Sequence, residues 1–135
     1  MAVGGRHGAR RLLLQALYQA QVGGDALGEL EQQFSDNPAF AQVDQDYFLS
    51  MLRQVMDDRT DLDARIAAAA DRPVAQLDPV ERGVLWIGLA ELKFRSDIPP
   101  RVAINEAIDL AREFGAQDSY RYVNAVLDSA SRRAS

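Results

Sequence analysis

The sequence predicts an all-α fold, a compact bundle of about seven helices. Three observations lead there. Apolar residues recur every three or four positions along most of the chain, the spacing that lines one face of a helix. No stretch of strict apolar–polar alternation bounded by turn residues marks a strand. Glycine, proline and capping residues interrupt the periodic segments at short intervals, so connections are short and 1–135 reads as a single domain.

A first helix is expected from Arg6 or Gly8 to Val22, with Leu13, Ala16, Leu17 and Ala20 on one stripe and Gly23-Gly24 as its stop. A second covers Ala26 to Phe34 through Leu27, Leu30 and Phe34, and Asn37-Pro38 ends it. The third, Asp44 to Arg59, has the clearest face, made by Tyr47, Phe48, Met51, Leu52, Val55 and Met56. A fourth, Asp61 to Ala70, is carried by Leu62, Ile66 and Ala69 and broken at Arg72-Pro73. Asp78-Pro79-Val80-Glu81 reads as a helix start. Asp78 can accept from unpaired amides, Pro79 suits the first helical position, and Glu81 stands where a capping box places its acid. The helix it opens, to about Arg95, is apolar on most sides around Val84-Leu85-Trp86-Ile87 and Leu89-Ala90, which puts it at the centre of the fold. After a turn at Ser96 to Pro100, the next helix buries Val102, Ala103, Ile104, Ala107, Ile108, Ala111 and Phe114 and closes at Gly115. Asp118 caps the last helix, whose stripe is Tyr122, Val123, Val126, Leu127 and Ala130, before the chain frays at Ser131 to Ser135.

Composition then excludes function classes. Hydrophobic residues make up 47%, as in an ordinary globular domain. Cysteine is absent, which removes disulfides, thiolate zinc sites and thiol nucleophiles. His7 stands alone among Gly4, Gly5 and Gly8, too few and too loosely held for a histidine metal site or histidine–serine catalysis. Glu106, a carboxylate among apolar neighbours, could suggest acid–base work, but no second candidate base, metal cluster or glycine-rich phosphate loop accompanies it. Asn105 and Asn124 read as hydrogen-bonding residues between helices. No cofactor and no metal are expected, and the chain does not read as an enzyme. No apolar run reaches about 18 residues, and residues 1–11 lack the apolar core of a signal peptide. A cytoplasmic protein with no membrane partner is expected.

The net charge of −5 points away from nucleic acid, but it is segregated. Residues 1–20 hold Arg6, Arg10 and Arg11 and no acid. Residues 21–81 hold thirteen acids against four bases, and residues 82–135 hold seven against eight. A polyanion can meet one face while the acidic middle looks elsewhere.

Several ordered motifs resemble the NusB family of transcription antitermination proteins. They are Ala9-Arg10 with Gln15-Ala16-Leu17-Tyr18, then Leu77-Asp78-Pro79-Val80-Glu81-Arg82 leading to Ala90-Glu91-Leu92. Ile98-Pro99 before Val102-Ala103-Ile104-Asn105-Glu106-Ala107-Ile108 follows. Phe114-Gly115, Asp118-Ser119, Tyr122-Val123-Asn124 and Val126-Leu127-Asp128 complete the series. The resemblance implies two packed three-helix groups plus one extra helix. It implies binding of the boxA element of ribosomal RNA transcripts, together with the ribosomal small-subunit protein that acts as NusE. The pair would join the RNA polymerase antitermination complex, with no catalysis.

Residue roles follow from the same resemblance. The N-terminal RNA contacts would fall to Arg6, Arg10, Arg11 and Gln15, although His7 and Gly8 stand where the family is often basic. Phosphate neutralisation by such arginines makes binding salt-dependent. A second RNA patch would span Gly115, Asp118, Ser119, Tyr120 and Tyr122, with the tyrosines stacking on splayed bases. Phe114 reads as core, Tyr120 as exposed, and Asp118 as a charge that restrains RNA affinity. The protein partner would meet Tyr18, Val80 and Glu81. Tyr18 can equally be core packing, and Glu81 can equally serve the capping box. Two other readings are a helical adaptor that binds protein alone and a relative of the N-terminal domain of ribosomal RNA cytosine methyltransferases. The large catalytic domain of those enzymes has no counterpart in these 135 residues.

Overall fold

The structure, a computed structural model, describes residues 5–133. Every regular element among them is helical. Six α-helices follow in order: α1 (Gly5–Gly23), α2 (Leu27–Ser35), α3 (Gln45–Ala69), α4 (Pro79–Phe94), α5 (Pro100–Phe114) and α6 (Ser119–Arg133). Two short 3-10 helices, Pro38–Gln42 and Val74–Gln76, precede α3 and α4. The chain divides into two compact units, one ending at Asp57 and the other beginning at Asp58.

The all-helical class is as the periodicity predicts, with one merger. The expected third and fourth helices are a single α3 of 25 residues. Neither proline nor glycine occurs between Asp44 and Ala70, so nothing forces a break at Thr60. A side-chain pair from Asp61 to Arg65, one turn apart, bridges the following turn at 2.8 Å.

In the first unit, α1 begins earlier and more rigidly than a glycine-flanked arm would. The Asp44 amide donates to the Gly5 carbonyl at 2.8 Å, and Arg6 Nη2 lies 3.2 Å from Asp44 Oδ2. Asp44 also caps α3 by accepting from the Tyr47 amide at 3.0 Å. The helix start expected at Arg6 or Gly8 is at Gly5, so His7 is helical, which corrects the reading of it as loosely held; Gly4 lies outside the described residues. Gly24 adopts φ +73, the left-handed conformation that stops α1 as predicted. Leu13, Leu17, Leu30, Phe34 and Phe48 are buried together with Phe40, which the 3-10 helix supplies after Asn37 caps it. Phe48 packs against Phe34 at 5.6 Å and edge-on against Phe40 at 5.5 Å.

In the second unit, α4, α5 and α6 pack pairwise. As expected, α4 is the enclosed helix: all eight residues from Gly83 to Ala90 are buried. Gly88 permits this, because a Cβ there would stand 2.8 Å from Leu127 Cδ1 and 3.4 Å from Ala107 Cβ. Asp78 accepts from the Glu81 amide at 2.8 Å and Pro79 occupies the first turn, as the motif predicts. On α5 the buried stripe is Ala103, Ala107, Leu110 and Ala111. Val102 points away from that stripe and is exposed. Phe114 is in line with it but is the last helical residue, and it is exposed rather than core. Asn105 and Asn124 are exposed too, not placed between helices. Both stand about a quarter turn or more off the buried stripes of their helices. α6 extends to Arg133, so residues 131–133 are helical rather than frayed; residues 134 and 135 lie outside the described residues.

Two polar clusters tie α3 to α4. Asp63 accepts from the Trp86 indole at 2.8 Å and forms a two-pronged pair with the Arg82 guanidinium. Lys93 bridges Asp58 at 2.8 Å and Asp61 at 2.7 Å. Asp63→Ala leaves the indole N–H of buried Trp86 without its acceptor, and chemical denaturation should show a loss of about 1–3 kcal/mol. A loss within error would mean that water replaces the carboxylate at no cost. Arg65, and after it Lys93, hold the Asp61 carboxyl down to about 2. Its folded value lies below the unfolded one, so its contribution is fully present above about pH 4 and is lost as pH falls toward 2. An NMR titration should give a midpoint near 2, and Lys93→Ala should raise it; an ordinary midpoint in the parent protein would show the ion pair to be unformed in solution.

Candidate nucleic-acid interface

In the first unit the sequence-predicted residues lie on α1 but in different environments. Arg11, Gln15, Tyr18 and Val22 are all exposed. Their spacing of four, three and four makes one surface stripe. Tyr18 is 44% exposed, so the core-packing reading does not hold for it. Arg11 and Gln15 border a shallow groove of about 320 Å³, which Leu12, Ala39, Gln42 and Val43 also line. Gly8 belongs to the same groove; a Cβ at that position would meet Val43 Cγ1 at 2.9 Å.

Arg10 departs from expectation. It is 4% exposed, and its guanidinium lies 5.4 Å from the centroid of the buried Tyr47 ring. Arg6 approaches the same ring at 5.0 Å while paired with Asp44. An arginine stacked on an aromatic face in a water-poor site gains up to about 2 kcal/mol, which helps explain why these charges turn inward. Of the three arginines, Arg11 alone is exposed.

In the second unit, the α5–α6 junction carries the other candidates. Gly115 ends α5 and must be small: a Cβ would lie 2.7 Å from the Ala111 carbonyl oxygen and 3.1 Å from Ser119 Cβ. Asp118 is exposed and adopts φ +68. Residues with a Cβ pay roughly 1 kcal/mol for that conformation, and Asp and Asn tolerate it best. An N-cap residue is normally extended, so the expected Asp118 cap is replaced by a left-handed turn. The Asp118 carboxylate instead approaches Arg121 at 3.5 Å. Ser119 is 4% exposed and donates its hydroxyl to Glu81 Oε2 at 2.8 Å, so its side chain does not reach the surface.

Tyr120 is partly buried rather than exposed, because Arg112 covers it at 4.4 Å and Arg121 at 5.6 Å, with Arg121 Nε donating to its hydroxyl at 3.2 Å. Tyr122 lies beneath the Arg72 guanidinium at 4.0 Å. Sequence reading did not single out Arg72, Arg112 or Arg121. Arg112 is two turns from Tyr120 across a turn, and Arg72 is fifty residues from Tyr122, so no local signal marks either pair.

Of the residues in this unit expected to meet a protein partner, Val80 is half-buried on the first turn of α4. Glu81 is 7% exposed. Its backbone amide satisfies Asp78, but its carboxylate does not complete a capping box. It accepts from Ser119, and Arg72 Nη2 lies 3.4 Å from Oε1.

Fold and surfaces together define an all-helical protein whose arginines gather on tyrosines, with no triad of metal-ligating side chains among the described residues. No helix among them is long and apolar enough to cross a membrane. Residues 7–132 match the model of the NusB family. The chain is 48% identical to the transcription antitermination protein NusB of Alcanivorax borkumensis, over 95% of this chain and 85% of that protein. Identity to the protein of the same name from Idiomarina loihiensis is 44%, over 93% and 90%. The structure of T. maritima NusB is similar with a TM-score of 0.83 at 26% identity, over 98% of this chain and 93% of that one. A chain in the crystal structure of antitermination factors NusB and NusE in complex with dsRNA shares the fold. Its TM-score is 0.79 at 23% identity, over 94% of this chain and 96% of that one. The chain belongs to the NusB family.

Gly115→Ala tests the tightness of the α5–α6 junction. The added methyl has a backbone oxygen in its path, so unfolding free energy should fall by about 1–3 kcal/mol. Amide exchange should quicken at residues 115–122. Unchanged exchange there would mean that the junction relaxes freely.

Proposed function

We propose that this chain is a transcription antitermination factor that binds boxA RNA jointly with the ribosomal small-subunit protein acting as NusE. The observation that carries this reading is the family membership, with 48% identity to a transcription antitermination protein NusB over nearly the whole chain. The pair joins the RNA polymerase antitermination complex. The chain acts as a single non-catalytic domain in the cytoplasm.

The geometry supports a division of labour on each unit. On α1, Arg11 neutralises phosphate, while Gln15 and Gln42 offer amides to an unstacked base in the groove beside it. At the α5–α6 junction, Arg112 and Arg121 supply charge, and their guanidinium planes on Tyr120 offer stacking surfaces. Arg6 and Arg10 act less as direct phosphate contacts than as the clamp that holds the start of α1 on Tyr47. Tyr18 and Val80 offer partly apolar surface to the protein partner, and the acidic residues 21–81 favour a basic one.

Titrating labelled boxA RNA across a salt series, with and without the ribosomal partner, tests this reading. Affinity should fall steeply with salt. Arg11→Ala should make the slope shallower by about 0.7, the share of one phosphate contact on a single strand. Absence of salt-dependent binding in both conditions would favour an adaptor that binds protein alone.

A further inference from the structure

Glu81 is a buried carboxylate with two partners, both outside its own helix. Oε2 accepts from Ser119 on the first turn of α6 at 2.8 Å, and Oε1 lies 3.4 Å from the Arg72 guanidinium. That guanidinium in turn covers the Tyr122 ring at 4.0 Å. Gly115 completes the arrangement, because any side chain there would press on Ser119. One charged group therefore fixes the start of α6 from the start of α4. A carboxylate removed from water is held in place by its hydrogen bonds, and those bonds strengthen as water leaves.

We propose that Glu81 is a positioning residue that couples the protein-partner surface at the start of α4 to the RNA surface at the start of α6. This rests on the functional reading above. A partner seated over Val80 and the first turn of α4 removes water from the remaining exposed edge of Glu81. The bonds of Glu81 to Ser119 and, through Arg72, to Tyr122 then strengthen. A start of α6 held more firmly favours RNA, so the two ligands favour each other. Linkage requires the effect to be equal in both directions. Ser119 is then a positioning residue for the RNA surface rather than an RNA contact.

The test measures, in the full chain, the dissociation constant for boxA RNA with and without saturating ribosomal partner. The ratio of the two is the coupling factor. It is internal to each variant, so a general loss of affinity or stability cancels. In the parent protein the factor should be about fivefold or more, the usual range for coupled sites. Ser119→Ala removes the direct link and leaves only the route through Arg72, so it should bring the factor down toward 1. Glu81→Gln keeps an acceptor for Ser119 but loses the charge facing Arg72, and its factor should fall in between. A factor that survives unchanged in both variants overturns the proposal. A parent factor of 1, with both ligands binding, also overturns it and leaves the functional reading standing. Failure of the parent protein to bind either ligand would instead remove the functional reading, and the coupling with it.

Discussion

A helix that is apolar on nearly every side has to be enclosed, and the second unit is organised around that demand. α4 meets it through Gly88, where the missing side chain lets Leu127 and Ala107 approach. At roughly 25 cal/mol per Å², about 40 Å² of added apolar burial offsets the ~1 kcal/mol that a glycine costs inside a helix. With α4 enclosed, its polar residues at Glu81 and Glu91 are enclosed as well. A buried carboxylate must find partners. Glu81 finds them on α6 and on the segment before α4, so the packing constraint generates the polar link between helix starts.

The cations follow a related logic. Arginine can give its flat face to a tyrosine and its edge to a carboxylate at once. Arg6 does so with Tyr47 and Asp44, and Arg72 does so with Tyr122 and Glu81. Arg10, Arg112 and Arg121 also lie on tyrosines. These pairings leave a protein of net charge −5 with local cationic surfaces whose geometry is set by aromatic neighbours. A polyanion responds to such local fields rather than to the net charge.

Much of the fold was legible because its signals are local. Asp78-Pro79 starts α4 and Gly24 stops α1 through bonds and dihedral angles that span a few residues. The periodic stripes named most of the core, including Tyr47, Phe48, Leu85 and Val126. Errors arose where a local rule met a wider context. Thr60 lies within one uninterrupted helix, Val102 stands off the α5 stripe, and Phe114 is where that stripe runs out. Phe40 enters the core from a five-residue 3-10 helix, too short to show a period.

The sequence by itself determined the helical class, the helix starts and stops, the missing thiols and the family motifs, since each resides in neighbouring residues. Which polar groups are surface and which are structure was decided only by the tertiary fold. Arg10 and Arg11 are adjacent, yet one is 4% exposed and the other is open to solvent. Glu81 has the spacing of a capping acid, yet its carboxylate bonds to Ser119, thirty-eight residues away. The physical reason is common to both. A charged side chain goes where its desolvation is best compensated, and the compensating groups come from distant segments that only the folded chain brings near.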